Sequence, residues 1–449
     1  MQNVIQNLNM KFSALILSAI LVASITMIAT HTKPAYAAFS VKMGNFETCA
    51  AFPTCDNIIN GTGFQPKALI LLTSNAYLPD PPSYDAEYNL QIGFSDGTND
   101  RSIAAVSEDA SNPTDACRTN SETIGKTLQP FCNSIEGDGE VQSFDEDGFT
   151  IHWSDPIGSG AFAQYIALGG ADLTDVKVGT LPTPTNVTGN KAYTGIGFQP
   201  DFVMFIYTRQ NETGVQSHAE FGLGFATSSS EEGAVVGVSE DGRTTSDTFR
   251  AQRTDRVIYQ LTPSTGALNA EAEFVSFDSD GFTLNWIDLP NNTNDKFHYM
   301  AMKGGKYKVG SLYQLTTGTG GTCPAAPPNC TQSISVGFQP TGLFLSSFNN
   351  VASSSIQSHN RISFGFSHVT TEGATWAGDR DNIASSTYVA GYFHNSKVIR
   401  LATEAQTAGS STTNAEADVQ SFDTNGFTLN WTTADTTARE ILYVAFGNA

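Results

Sequence analysis

Apolar positions in this chain come in short runs with period-two alternation, bounded by Gly, Pro, Asn and Asp. No window of eleven or more residues holds a 3.6-residue period, so the pattern predicts strands and turns rather than helices. One stretch states this most clearly. Residues 141–153 read VQSFDEDGFTIHW, and the pattern returns at 274–286 (FVSFDSDGFTLNW) and 419–431 (VQSFDTNGFTLNW). Alternation on both sides of Asp-x-Asp/Asn-Gly predicts a hairpin with a type I turn, its glycine supplying a positive-φ G1 bulge. Trp153, Trp286 and Trp431 on the return strand are expected in the core or at its rim, where the indole N–H finds a partner.

Other segments repeat in the same order. A first strand at Val41-Lys42-Met43-Gly44 returns at Val176 and Tyr307. Gly-Phe-Gln-Pro starts at Gly63, Gly197 and Gly337, and each copy precedes an apolar run. Gly-Phe pairs follow at Gly93, Gly224 and Gly365, and closing strands begin at Tyr165, Tyr299 and Tyr443. Five matches in triplicate mark tandem modules, with boundaries near 38–171, 172–305 and 306–449. The fold class is all-β: three tandem antiparallel β-sandwich, jelly-roll-like domains after an N-terminal signal segment. At about 130 residues each, the modules are expected to form a bead array, every bead enclosing its own core.

Residues 1–37 carry the order of a secretory signal. Lys11 precedes an apolar run from Phe12 to Ala29, and Ala35-Tyr36-Ala37 is a small-residue cleavage site. An uncleaved anchor is the alternative, since the run is near the lower limit for a membrane span; no later stretch is apolar enough to span. Forty Gly and few charged residues fit a β-rich, turn-rich chain. The formal charge of −21 repels phosphate backbones and argues against a nucleic-acid partner.

Cysteines follow the module alignment. Cys49/Cys55 and Cys323/Cys330 flank equivalent loops, and module two has neither member. Such paired gain or loss predicts local disulfides, and Cys117 with Cys132 is expected to bridge successive strands. The spacings lack the His or second Cys pair of a zinc site.

Few residues carry chemistry. Asp145, Asp147, Asp278 and Asp280 resemble the start of a calcium loop, but the next alternate position is Phe and no far-end Glu follows. The expectation is therefore a structural hairpin and no cofactor, with calcium the minor alternative. Gly-Phe-Gln-Pro reads as a strand entry. His218 and His359 match in Gln-Ser-His, where module one has Glu87. Asp109, Asp241 and Asp381 align after the fourth strand of each module, followed by Arg118 and Arg250 in the first two. Carboxylate and guanidinium groups near aromatics are what sugar hydroxyls need, so these seven residues are the candidate ligand contacts. Six Asn-x-Ser/Thr sites, at Asn60, Asn186, Asn211, Asn291, Asn329 and Asn430, fit an exported chain. Motifs of serine hydrolases, zinc proteases and phosphate-binding loops are missing.

The ordered set Gly-Phe-Gln-Pro, Ser-Phe-Asp-x-Asp-Gly-Phe-Thr-Leu-Asn-Trp and Tyr-x-Ala-x-Gly resembles β-sandwich repeats of phage and prophage virion-associated proteins and of exported microbial proteins. More loosely, the Gly-Phe-Thr strand and its short closing strand are similar to the H-type lectin domain. That resemblance implies a six-stranded sandwich, N-acetylgalactosamine binding and a threefold arrangement, here of three modules in one chain. The modules are longer than that domain, and its sugar contacts do not map onto this chain position by position. Together these features imply an exported, non-enzymatic protein, secreted or at the cell surface, that binds glycans or another cell-surface ligand by multivalency. Self-assembly as a surface-layer, filament or virion subunit is the second reading, and a secreted hydrolase the third.

Overall fold

The computed structural model describes residues 39–74, 83–85, 87–157, 161–184, 187–210, 213–291, 295–323, 327, 330–351, 355–368, 371–384, 386–404 and 410–448. The expected signal segment, at 1–37, lies outside them, as do Asn186, Asn211 and Asn329. All regular elements among the described residues are strands, gathered into six antiparallel sheets. In repeat one, Ser40–Glu47, Phe162–Gly169, Pro66–Ser74, Tyr88–Ser95, Asp100–Ser107 and Ala116–Ser121 lie side by side in that order. A smaller sheet runs Cys55–Asn60, Gly148–Asp155, Ile135–Asp145, Gly125–Leu128. Repeats two and three show the same order. The two sheets of each repeat enclose a core, in repeat one Leu69, Leu71, Phe149, Ile151 and Trp153, with counterparts in the others. The expected all-β sandwich class is the observed one.

The bead-array expectation does not hold. Residues 38–449 form one compact unit. The large sheets turn their second faces toward each other, and a shared core draws Ile70 and Ile92, Phe202 and Phe221, and Phe344 and Phe364 from the three repeats. Strands with both faces covered lose alternation. Tyr88–Ser95 and Phe162–Gly169 are buried at every position, whereas Cys55–Asn60 in the outer sheet alternates. Aromatic rings cross the repeats: Phe202 stacks on Tyr307 at 5.1 Å, and Phe221 meets Phe364 at 5.4 Å.

Each large sheet also takes its seventh strand from another repeat. Gln216–Ser217 of repeat two pairs with Ala116–Ser121 of repeat one. Gln357–Ser358 of repeat three pairs with Thr248–Arg253 of repeat two. Ser83–Asp85 of repeat one pairs with Val389–His394 of repeat three. The exchange closes a ring.

The repeated motif is a hairpin, with one correction. Asp145 pairs with Gly148, Asp278 with Gly281 and Asp423 with Gly426, so the turn is two residues long. The bulge lies upstream, at Gln142, Val275 and Gln420, rather than at the glycine. The glycine answers a close approach: a Cβ there would sit 1.8–1.9 Å from the carbonyl oxygens of Ile59, Tyr193 and Ile334 on the neighbouring strand. The tryptophans are fully buried. Their indoles donate to Asn57 Oδ1 (2.8 Å), Tyr193 Oη (2.8 Å) and Gln332 Oε1 (3.0 Å). Three disulfides join Cys49–Cys55, Cys117–Cys132 and Cys323–Cys330, the chemistry of an oxidising compartment. Cys132 sits in the turn before Ile135–Asp145 rather than on a strand.

Candidate functional site

The seven candidate ligand contacts all lie on the seams between repeats, where main-chain groups occupy them. Asp241 Oδ1 accepts from Ala116 N–H at 3.1 Å, Asp381 Oδ1 from Thr248 N–H at 3.0 Å and Asp109 Oδ1 from Val389 N–H at 2.9 Å. Each carboxylate thus satisfies the first amide of the edge strand on which another repeat's guest strand docks. A hydroxyl on the preceding turn completes the contact: Thr114, Ser246 and Thr387 donate to the carbonyls of Glu240, Arg380 and Glu108 at 2.6–2.7 Å.

His218 and His359 end the guest strands with φ of 70° and 66°. Their Nδ1 atoms accept from the amides of Asp241 and Asp381, both at 3.0 Å. Burial holds both imidazoles below their ordinary pKa, and the Arg118 guanidinium beside His218 and Arg361 beside His359 add to it. A neutral ring with an accepting Nδ1 is what this bond requires. Glu87 does the same work on the third seam, its Oε2 accepting from Asp109 N–H at 3.0 Å.

Arg118 and Arg250 are buried on the strands that receive the guests. Arg118 donates to the carbonyls of Ser217, His218 and Arg209. Arg250 donates to those of Ser358 and His359 and to Gln357 Oε1. Burial lowers the pKa of both guanidiniums, Arg250 to about 9. These forks hold a strand in place; their planar donors match successive carbonyls as they would match a ligand.

The hairpin carboxylates are likewise engaged. Asp145 accepts from Ser143 and Thr150, and Asp278 from Ser276 and Thr283. Asp147 accepts from Gly63 N–H at 2.6 Å, and Asp280 from the amides of Gly195 and Gly197. Among the described residues no group of three or more His, Cys, Asp or Glu is placed to hold a metal ion.

Open concave surface lies instead at the Gly-Phe-Gln-Pro corners, which the sequence reading treats as strand entries only. That structural role is present: Gln65, Gln199 and Gln339 each donate from Nε2 to the carbonyl of the hairpin Phe, at 2.7, 2.9 and 3.2 Å. The same corners also border grooves. One, of about 690 Å³, lies between repeats one and two, lined by Gln65, Lys67, Asp96, Phe144, Asp175 and Phe198 among others. The second, of about 580 Å³, is formed at the equivalent corner of repeat three by Lys306, Phe338, Gln339, Phe422, Thr424 and Asn448 with their neighbours. Both combine aromatic edges and an exposed amide; the first adds Lys67, Asp96 and Asp175, and the second has Lys306 as its one charged lining residue. Nothing in composition marks the corner as concave, because the concavity arises from where the next segment of chain lies. The signal within reach of sequence reasoning was the recurrence of Gly-Phe-Gln-Pro itself. No protein-family model matches the chain, and no curated protein matches it.

Proposed function

We propose that this protein is an exported, non-enzymatic binding protein that engages glycans or a related cell-surface ligand at the Gly-Phe-Gln-Pro corners, with weak sites summed by avidity. The observation that supports this most is the recurrence of a groove at one corner in different repeats. A volume of several hundred Å³ suits a ligand of one or two sugar rings. Aromatic faces, amide oxygens and carboxylates are the groups that stack on and hydrogen-bond to sugars. Secretion fits the disulfides and the signal-like start.

A glycan array probed with the full chain at high surface density tests the reading. Binding should appear, and Phe422→Ala and Asp175→Asn should each weaken it by roughly tenfold, the size of about 1.4 kcal/mol. Absence of binding on a broad array, or binding indifferent to both substitutions, sinks it.

A further inference from the structure

The residue that opens each repeat's first strand changes charge while its place stays fixed. Ser40, Asp175 and Lys306 pair with Gly169, Lys303 and Gly447, the matching ends of the closing strands. Asp175 lines the groove between repeats one and two, beside Gly197 and Phe198 of its own corner. Lys306 lines the groove of repeat three, beside Gly337 and Phe338. Both side chains are exposed. The two grooves therefore carry opposite charge at one register position.

The rest of each lining follows the same sign. The first groove adds Asp96, whose carboxylate accepts from the amides of Thr98, Asn99 and Val178. Its one cation, Lys67, already donates to the Leu173 carbonyl at 2.6 Å. Among the described residues that line the groove of repeat three there is no acid. The hairpin tip beside it has changed as well. Glu146 and Asp147 of repeat one are Thr424 and Asn425 in repeat three, and Thr424 lines the groove. Asp423 remains at that tip, and the Ser421 and Thr428 hydroxyls donate to it. In a chain of formal charge −21, the local sign is reversed here.

We infer that the groove of repeat three selects an acidic sugar, with the Lys306 ammonium as counter-charge and the partly exposed Phe338 and Phe422 rings beside the sugar face. The inference rests on the glycan reading of the corners. An ammonium is a point charge and does not choose between a planar carboxylate and a sulfate, so the class is an anionic sugar of either kind. The first groove rejects the same ligand, because Asp175 and Asp96 place like charge against it. Repulsion from the rest of the chain is screened beyond about 8 Å at physiological salt, and a contact pair is screened less.

The test measures binding of the full chain, at about 0.15 M salt, to three oligosaccharides of equal length: a galactan, an oligogalacturonate and a sulfated galactan. Wild type should bind one or both charged probes more tightly than the neutral one, by roughly threefold to fivefold, the range of an exposed ion pair. The two charged arms tell carboxylate from sulfate. Lys306→Gln should abolish the preference, and Thr424→Glu, which restores an acid at the tip, should weaken the charged probe more than the neutral one. Both positions are exposed, so neither change opens the core. A neutral probe bound as tightly as both charged ones, or a preference that survives Lys306→Gln, overturns the inference and leaves the glycan reading standing. Binding to none of the three overturns it as well; only absence of binding across the broad array removes the glycan reading too.

Discussion

Two seams of the ring show one geometry achieved by different chemistry. Between repeats two and three, Arg250 threads beneath the guest strand and donates to Ser358, His359 and Gln357. Between repeats three and one, the position opposite the guest strand is Gly391, paired with Asp85. No guanidinium can fork there, and Glu87 stands where the other seams have His. Other contacts join repeats one and three: the Phe162 and Phe393 rings meet at 4.0 Å, both buried, and Gln164 Oε1 accepts from Thr375 at 3.0 Å. Connectivity differs as well. Short linkers at 170–174 and 304–305 join consecutive repeats, and no linker joins repeat three back to repeat one. The lesson is that ring closure rests on main-chain pairing and the Asp cap, which all seams share, while the side chains that reinforce it are local solutions.

The largest test of this contrast is Arg250→Ala. It removes a buried cation and leaves carbonyls in the seam without their donors, at a cost of about 3–5 kcal/mol. Urea unfolding should show the drop in midpoint with little change in slope. Arg250→Lys should recover part of it, because an ammonium cannot reproduce the fork. A loss under about 1 kcal/mol for the alanine variant would show that the clamp is dispensable.

Phe393→Ala asks the same question of the other seam. Truncating a buried ring costs about 3 kcal/mol. Because repeats three and one lack a linker, the loss should appear first as proteolytic cleavage within repeats one and three. Uniform sensitivity across the chain would mean that the ring yields everywhere at once.

These seams also show what a sequence exposes. The strands and the threefold repetition were legible because Gly-Phe-Gln-Pro and the Trp hairpin carry unmistakable residues at fixed spacing. Asp109, Asp241 and Asp381 were legible as equivalent positions, but their role was not. Their partners are backbone amides of other repeats, and a backbone amide has no signature. The guest strands Gln216–Ser217 and Gln357–Ser358 are too short to show alternation, and their counterpart Ser83–Asp85 shares no residues with them. The acids that bridge the two sheets of each repeat, Asp100, Glu232 and Glu372, accept from Val141, Phe274 and Val419 N–H and escaped for a different reason. Asp100 and Glu372 lie six residues after the aromatic of their Gly-Phe pair and Glu232 seven, so a one-residue difference in the turn hides the match. The bead-array reading failed because a strand buried on both faces looks, in sequence, like any short apolar run.

A smaller effect separates what the seams share from what they do not. Asp381→Ala and Asp109→Ala each remove an acceptor from a strand-end amide in nearly the same geometry, 3.0 Å and 2.9 Å. Both should cost about 1–2 kcal/mol. Equal costs in urea unfolding support a common cap. A much larger cost for Asp109→Ala would mean that the cap carries more where the arginine is missing.

The finest discrimination lies in native-state hydrogen exchange. Thr248 and Val389 are equivalent amides, each held by an aspartate from another repeat. Local opening of the seam exposes them, and the opening free energy sets their exchange rate. Arg250 and the 304–305 linker resist opening at Thr248, and neither device acts at Val389. Val389 should exchange about tenfold faster, after correction for intrinsic rates, which corresponds to about 1.4 kcal/mol. The Arg250→Ala variant supplies the control, since it should bring Thr248 toward the rate of Val389 and leave Val389 unchanged. Equal rates in wild type would assign the strength of both seams to pairing and cap alone.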